Sequence, residues 1–205
     1  MAHIPDGVLS VPVLIGGAAL AVGGLALGLS RLEERDIPKT AILSAVFFVA
    51  SLVAVPIGPT SVHLLLAGAM GIVLGVAAIP AVFVGLLLQA VLFGFGGITS
   101  LGVDVVDIAF PGVILAALAR PLLVRTRGLG RMVVAGAVAA GAVAATAGCV
   151  ATALALSASE YLPSLGVVVA TYLPLAAVEA VVTGFLVGHL ARVRPDLLGI
   201  AEAAA

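Results

Sequence analysis

The sequence predicts an all-α, polytopic membrane protein of seven transmembrane helices, with the N-terminus outside and the C-terminus in the cytoplasm. Three observations carry that expectation. Of 205 residues, 63% are hydrophobic and 9% charged, whereas a water-soluble domain carries about 25% charged residues. The mean hydropathy of +1.36 agrees. The apolar runs are long and do not alternate, which favours helices over a barrel. All nine Lys and Arg residues fall in segments that a seven-span count places on one side. The chain is read as one integral-membrane domain of the plasma membrane. Residues 1–7 are read as an extracytoplasmic N-terminus, 8–190 as the helix bundle and 191–205 as a cytoplasmic tail.

The first span is Val8 to Ser30, uncharged and long enough for a bilayer. Its glycines (Gly16, Gly17, Gly23, Gly24 and Gly28) leave grooves for close approach of another helix, within the chain or from a partner subunit. After the charged loop Arg31 to Lys39, the second span runs from Ala41 to Ile57 and closes at Pro56 and the turn-like Gly58-Pro59. Val62 to Phe95 has no charge and is too long for one crossing. It breaks naturally at Gly75 to Pro80, because the residue before proline avoids the helical region, giving helices over about 61–77 and 80–97. Gly94-Phe95-Gly96-Gly97 ends the pair. The fifth span is Asp104 to Ala119, with Pro111 inside. The basic loop Arg120 to Arg131, a sixth span Met132 to Ser157, a polar turn to Ser164 and a seventh span Gly166 to Leu190 complete the chain.

Orientation follows from the positive-inside rule. Arg31, Arg35, Lys39, Arg120, Arg125, Arg127, Arg131, Arg192 and Arg194 lie in the loops at 31–39 and 120–131 or in the tail. The opposite side, with the N-terminus and the loops at 58–61, 97–104 and 157–164, has no basic residue. A net charge of −1 points neither to nucleic-acid binding nor to a polybasic lipid anchor. The lone Cys149 excludes an intrachain disulfide and reads as a packed thiol. The N-terminus lacks the basic region of a secretory signal, and no signal cleavage is expected.

Chemistry concentrates at the N-terminus and at His63. A free amine, a backbone amide and the His3 imidazole fall within three residues and can close small chelate rings on one metal. A deprotonated amide favours a flat, four-coordinate geometry, and tetragonal nitrogen sites suit nickel(II) or copper(II). His63 lies on the same predicted face. A lone histidine at a helix end is often only a satisfied polar residue, but two of the chain's three histidines at one depth favour metal ligands. Two registers are open. If Met1 is removed, the Ala2 amine, the His3 amide and the His3 ring supply three nitrogens and His63 the fourth. If Met1 stays, its amine, two amides and the His3 ring fill the plane without His63. The first register gives His63 a role and is preferred. The third histidine, His189, reads as a cation near the C-terminal end of the seventh helix.

Three motifs carry a family resemblance: His3-Ile4-Pro5-Asp6-Gly7, Ser61-Val62-His63-Leu64-Leu65-Leu66 and Gly96-Gly97-Ile98-Thr99-Ser100-Leu101-Gly102-Val103. They resemble the cobalt/nickel substrate-binding components of energy-coupling-factor transporters, the CbiM/NikM family. The resemblance covers most of the first five helices, and the C-terminal half matches mainly by helix count. It implies seven membrane helices, a membrane coupling (T) subunit, two cytoplasmic ATPase subunits, no resident cofactor, and Ni(2+) or Co(2+) as the transported ion. It also implies a metal held by the amine of Ala2 or Met1, the amide and ring of His3, and the ring of His63. The Ile-Pro-Asp-Gly continuation and the flat nitrogen geometry favour nickel. Two departures stand out. The family has histidine directly after the initiator methionine, so removal of Met1 would restore its register. Asp104 and Asp107 stand where the family is associated with amides.

The acidic residues keep two readings each. Asp104 and Asp107 share a helix face; they draw cations to the outer mouth, or Asp104 caps the fifth helix and Asp107 bonds within the bundle. Asp6 reads as a turn residue of Pro-Asp-Gly or as support for His3. Glu179, deep in the seventh span, is a functional candidate by position or is bonded to Tyr172 or a backbone group. The chain has no G-x-x-x-x-G-K-[ST] loop and its only lysine is Lys39, so ATP use must come from partners. No catalysis is expected. The alternatives are a proton-coupled metal permease with Glu179 as proton carrier and, remotely, an intramembrane metallohydrolase, which lacks an H-E-x-x-H pair.

Overall fold

The computed structural model describes residues 4–53, 55–57, 60–158 and 165–200. Within these, the regular structure is helical apart from one small hairpin. The helices are α1 (Val11–Ser30), α2 (Ile37–Leu52), α3 (Ala67–Leu74), α4 (Ala78–Phe93), α5 (Leu101–Arg125), α6 (Gly128–Ser157) and α7 (Leu165–Val193). Short 3₁₀ turns occupy Glu34–Asp36, Gly75–Ala77 and Pro195–Leu198. Strands β1 (Val55–Ile57) and β2 (Thr60–Val62) pair antiparallel, with Val55 opposite Val62.

Five described segments are long and apolar enough to cross a membrane: Val11–Ser30, Ala67–Phe93 taken as one run, Leu101–Arg125, Gly128–Ser157 and Gly166–Val193. Helix α2 has 16 residues and rises about 24 Å. Helix α3 has 8 residues, all buried, and rises about 12 Å, well short of a hydrocarbon core of about 30 Å.

Side-chain contacts set the helix directions. Ser44 Oγ donates to the Ala81 carbonyl at 2.7 Å. A Cβ on Gly85 would meet the Phe47 ring at 2.5 Å, and Gln89 Nε2 donates to Ser51 Oγ. The pairs advance together, so α2 and α4 run parallel. Likewise Gly17 lies against Val103 and Gly24 against Phe110, so α1 and α5 run parallel. Gly136 meets Ala180 while Gly184 and Gly188 meet Met132, so α6 and α7 are antiparallel. Between two parallel helices the chain must return to its starting level, and residues 53–77 perform that return. Their outer part is extended and only their inner part, α3, is helical.

The α1 glycines divide by face. Gly17, Gly24 and Gly28 pack within the chain, the last with its Cβ position 2.6 Å from Pro80, whereas Gly16 and Gly23 have nothing within 4 Å. Helix α3 lies where other backbones approach most closely: a Cβ on Gly71 would sit 2.2 Å from the Gly112 carbonyl and one on Gly68 2.5 Å from Ala139 Cα.

Several boundaries differ from the sequence expectation. The predicted break at Gly75–Pro80 is present, made by Gly75 at φ +56°. The predicted helix over 61–77 shrinks to Ala67–Leu74, because 60–62 is spent on the hairpin. The second span ends at Leu52, since 55–57 is the partner strand. Helix α5 starts earlier and ends later than expected, passing through Pro111 and Pro121. The basic loop therefore contracts to Thr126 and Arg127, its arginines riding on helix ends.

Candidate metal site

Met1, Ala2 and His3 lie outside the described residues, as does the 159–164 turn. The description of the site begins at Ile4, one peptide bond after His3. Ile4 is buried, at 4% exposure, and both of its backbone polar groups are held. Its N–H, which belongs to the His3–Ile4 peptide, donates to Asp104 Oδ1 at 3.0 Å. Its carbonyl accepts from Ser100 Oγ at 2.5 Å. Ser100 and Asp104 stand one turn apart at the start of α5, and the hydroxyl also approaches Asp104 Oδ2 at 3.4 Å.

Two residues on, Asp6 makes the second tie. Its Oδ1 accepts from the Thr99 N–H at 2.9 Å and from the Thr99 hydroxyl, and its Oδ2 from the Ile98 N–H at 3.3 Å. The Thr99 hydroxyl, with these backbone N–H groups, holds the Asp6 carboxyl below the ordinary carboxylate range. Gly97 makes the contact possible: a Cβ there would lie 2.0 Å from Asp6 Oδ1. Ile4 and Leu9 then pack with Val103, Val150 and Ala153, and the Ser10 N–H donates to Ser157 Oγ at 3.0 Å. Residues 4–10 thus form a strap across the N-terminal end of α5 and the C-terminal end of α6. The sequence expectation for Asp6 covered both a turn and support for His3. The turn Gly7 adopts φ +82°, and the carboxylate reaches the 97–100 segment rather than its own neighbours.

The hairpin after α2 delivers His63 to the same end of the bundle, because α4, parallel to α2, leads directly into the 94–100 segment. His63 is 7% exposed. Burial lowers the proton affinity of its ring below the ordinary histidine value, against an opposing contribution from the Leu64 carbonyl. A carbonyl can only accept, so the 3.1 Å contact of Nδ1 with the Leu64 carbonyl makes Nδ1 the protonated nitrogen and places the ring lone pair on Nε2. A buried, neutral imidazole is the form that ligates a metal.

The two residues after Leu64 depart from any regular element. Leu66 takes a left-handed conformation, φ 51° and ψ 15°, which costs a non-glycine residue about 1–2 kcal/mol. The N–H groups of Leu65 and Leu66 both donate to Glu179 Oε1, at 2.5 and 2.8 Å. Glu179 is fully buried on α7.

Asp104 and Asp107 are buried, at 2% and 3% exposure. In this arrangement they face the protein interior, and Asp104 serves as an acceptor for the strap. Asp107 Oδ2, Thr146 Oγ1, Tyr172 Oη, Glu179 Oε2 and Thr183 Oγ1 are buried with no hydrogen-bond partner among the described residues. Cys149 is a half-buried free thiol, and His189 is exposed near the end of α7. Among the described residues no three His, Cys, Asp or Glu side chains group to hold a metal ion. The role of Ser100 as an anchor was not foreseen. Only the Ser100–Asp104 spacing of four, at a helix start, hinted at it.

At the other end of α5 and α6 lies a cavity of about 730 Å³ lined by Arg35, Lys39, Arg120, Arg131 and Arg194 with Asp36 and Asp196. Basic residues from all three segments that the sequence assigned to the cytoplasmic side therefore meet in one place.

Fold and site together define a multi-pass helical membrane protein that presents a tethered N-terminus and a buried histidine at one end. Comparison with known proteins names the family. The model of the CbiM family, the cobalt uptake substrate-specific transmembrane region, matches residues 3–197, and the chain belongs to that family. It is a transport protein, not an enzyme. It is 37% identical over 205 residues to a Haemophilus influenzae protein named for metal transport, covering 98% of each chain. It is 32% identical to the fused nickel transport protein NikMN of Rhodobacter capsulatus, covering 96% of this chain and 63% of that one, so it spans under two thirds of that relative. A crystal structure of a transition metal transporter superposes with a TM-score of 0.74 at 29% identity, covering 93% of both chains.

Proposed function

We propose that the chain is the substrate-specific component of an ATP-driven importer of the energy-coupling-factor type, and that it carries Ni(2+) or Co(2+). The metal is gripped by the amine of Ala2, or of Met1 if that residue is retained, by the amide and ring of His3, and by the ring of His63. One observation carries the reading most directly. Ile4, the residue after His3, is fixed by two buried side chains, Asp104 on its N–H and Ser100 on its carbonyl, at the end of the bundle where His63 is held buried and neutral. A tie at residue 4 limits how far the proposed donors ahead of it must be ordered on binding, which lowers the entropy cost of chelation.

Nickel is favoured because an amine, a deprotonated amide and imidazoles make a flat nitrogen field. A relative fused as a nickel transport protein supports that preference, while the family model itself describes cobalt uptake. A membrane coupling subunit and two cytoplasmic ATPases complete the machine. Two features support partners of this kind: the R. capsulatus relative carries further sequence beyond the matched region, and this chain has no nucleotide loop of its own. The topology is seven passages with the N-terminus outside. The parallel run of α2 and α4 and the gathering of basic residues at one cavity support it.

The test leaves every side chain in place. Retaining an uncleaved tag ahead of the terminus blocks the amine. Nickel affinity, measured by calorimetry on the purified protein, is expected to fall about as far as in His63→Ala, by more than about tenfold, the lower end of the scale for loss of even an indirect metal partner. A blocked terminus that binds as tightly as the native one overturns the amine as a ligand.

A further inference from the structure

We propose that Glu179 is a positioning residue of the metal site: one oxygen of its carboxylate grips the backbone that carries His63 and sets the depth and direction of that ring. The proposal rests on His63 being a metal ligand, as argued above.

The argument starts from the third passage. Helix α3 is 8 residues long, so the chain reaches its depth through extended residues on the outer side, which rise about 3.3 Å each. An extended segment inside a membrane bundle has backbone donors with no helical partner. Lipid cannot satisfy them, and irregular backbone at that depth persists only where protein groups do. Glu179 stands midway along α7, 14 residues from Leu165 and 14 from Val193. Its Oε1 lies 2.5 Å from the Leu65 nitrogen and 2.8 Å from the Leu66 nitrogen.

Two successive N–H groups that converge on one oxygen make a small anion-binding concavity of the backbone, of the kind formed when one residue is left-handed. Leu66, at φ 51°, is that residue, the only non-glycine with positive φ among the described residues. A leucine does not take this conformation unaided, and the shared acceptor is what holds it. Upstream, the same backbone is pinned by the His63–Leu64 contact. His63 is two residues from the clamp, with one rotatable residue between. Withdrawing the Glu179 oxygen frees the left-handed turn and with it the direction of the imidazole.

The clamp needs an accepting oxygen at this position, not a mobile proton, and that sets the experiment. Glu179→Gln keeps an oxygen in place. Glu179→Met keeps the volume and removes every acceptor. Glu179→Asp keeps the charge but draws the oxygen back by one methylene, beyond hydrogen-bond range of about 3.2 Å. Each is purified, its metal-free thermal midpoint is measured, and nickel binding is followed by calorimetry and by the visible absorption of the bound ion. His63→Ala serves as the reference.

The expected result is that Glu179→Gln binds within about threefold of native, having given up only the charge-assisted part of the bond. Glu179→Met and Glu179→Asp are expected to lose about tenfold or more, the scale seen when a group that orients a metal ligand is removed. The absorption of the bound nickel should shift in Met and Asp and stay native in Gln. A purely structural role would alter the thermal midpoint and leave that band unmoved. Should the Met variant fail to accumulate, the Asp variant decides. Native affinity and a native band in both Met and Asp, with His63→Ala impaired, overturn the clamp and leave the metal site standing. A Gln variant as damaged as Met overturns it too, because charge rather than placement would then govern. If His63→Ala itself binds nickel normally, the ligand reading fails and the proposal falls with it.

Discussion

Replacing Asp104 by Ala tests whether the strap matters to metal affinity without touching a metal ligand. The substitution removes the acceptor of the Ile4 N–H, in a site where Asp104 is 2% exposed. Leaving a buried donor unpaired costs about 1–3 kcal/mol. The Ile4 carbonyl keeps its bond to Ser100 and Asp6 keeps its own three, so the strap loosens rather than detaches. The lower half of the range applies, about 1–2 kcal/mol, and at about 1.4 kcal/mol per factor of ten nickel affinity falls roughly 5- to 30-fold. Asp104→Asn retains an accepting oxygen and should stay within about threefold. Stopped-flow binding at two salt concentrations separates the two roles open to this residue. An anchor acts on dissociation and is insensitive to salt. A negative funnel acts on association, and its effect fades as the Debye length drops from about 30 Å at 0.01 M to about 8 Å at 0.15 M. Native affinity in Asp104→Ala, or a loss confined to association at low salt, refutes the anchoring argument.

Other outcomes follow from the same geometry. Gly97→Ala places a methyl 2.0 Å from Asp6 Oδ1, so it should lower nickel affinity as much as Asp6→Ala, and the double variant should be no worse than either; additive losses would separate the two residues. Nickel affinity should rise with pH through the ordinary amine range of about 7.7–8.0, as the terminal amine sheds its proton. Burial keeps His63 neutral below its ordinary value, so His63→Ala should preserve that slope; a slope centred in the ordinary imidazole range and abolished by His63→Ala contradicts this order. For the metal-free fold the signs run the same way at both residues. His63 and Asp6 have lowered folded values, so each contribution is present above its unfolded value and is lost as pH falls through the folded one, which a thermal-shift series from neutral pH downwards reads. Glu179→Gln should support nickel uptake when partner subunits are present; uptake abolished with binding intact would favour proton coupling through this residue. Reporters fused after Arg194 or within 126–130 should face the cytoplasm and one at 157–159 the outside, and a cytoplasmic signal from the last contradicts seven passages.

The helices were legible where chemistry is local, and the site was legible only by residue type. Gly75 and Pro80 mark the break between α3 and α4 because both act on their own backbone. The hairpin hid inside an apolar run: Val55–Ile57 and Thr60–Val62 are as hydrophobic as a helix end, and the short run does not reveal its period. Pro111 was expected inside the fifth span, whereas Pro121 fell in the expected basic loop; α5 passes through both, because neighbouring helices in a bundle re-satisfy the carbonyls a proline frees. His63 declared itself as a candidate ligand by chemistry alone. Its supports did not: Asp104 is 100 residues from Ile4 and Glu179 113 from Leu66. A backbone donor leaves no mark in a sequence, so nothing local pairs it with a distant carboxylate.

That pairing accounts for the placement of acids beside a proposed cation site. Asp6, Asp104 and Glu179 each accept from backbone that no helix or sheet serves: Ile98 and Thr99, Ile4, and Leu65 with Leu66. Hydrocarbon offers no acceptor, and a carboxylate oxygen can take two donors at once, as Glu179 Oε1 does. The segments at 4–6 and 63–66 are thus outside helix and sheet yet held in place. The same bonds bear on which ion is taken. Both oxygens of Asp6 and Oδ1 of Asp104 accept backbone N–H groups, so a hard cation drawn to these oxygens would compete with the strap. Magnesium and calcium require such oxygens, whereas nickel and cobalt are served by amine, amide and imidazole nitrogen. A site built as proposed on the terminal amine, the His3 amide and two imidazoles would then favour nickel or cobalt over these hard cations.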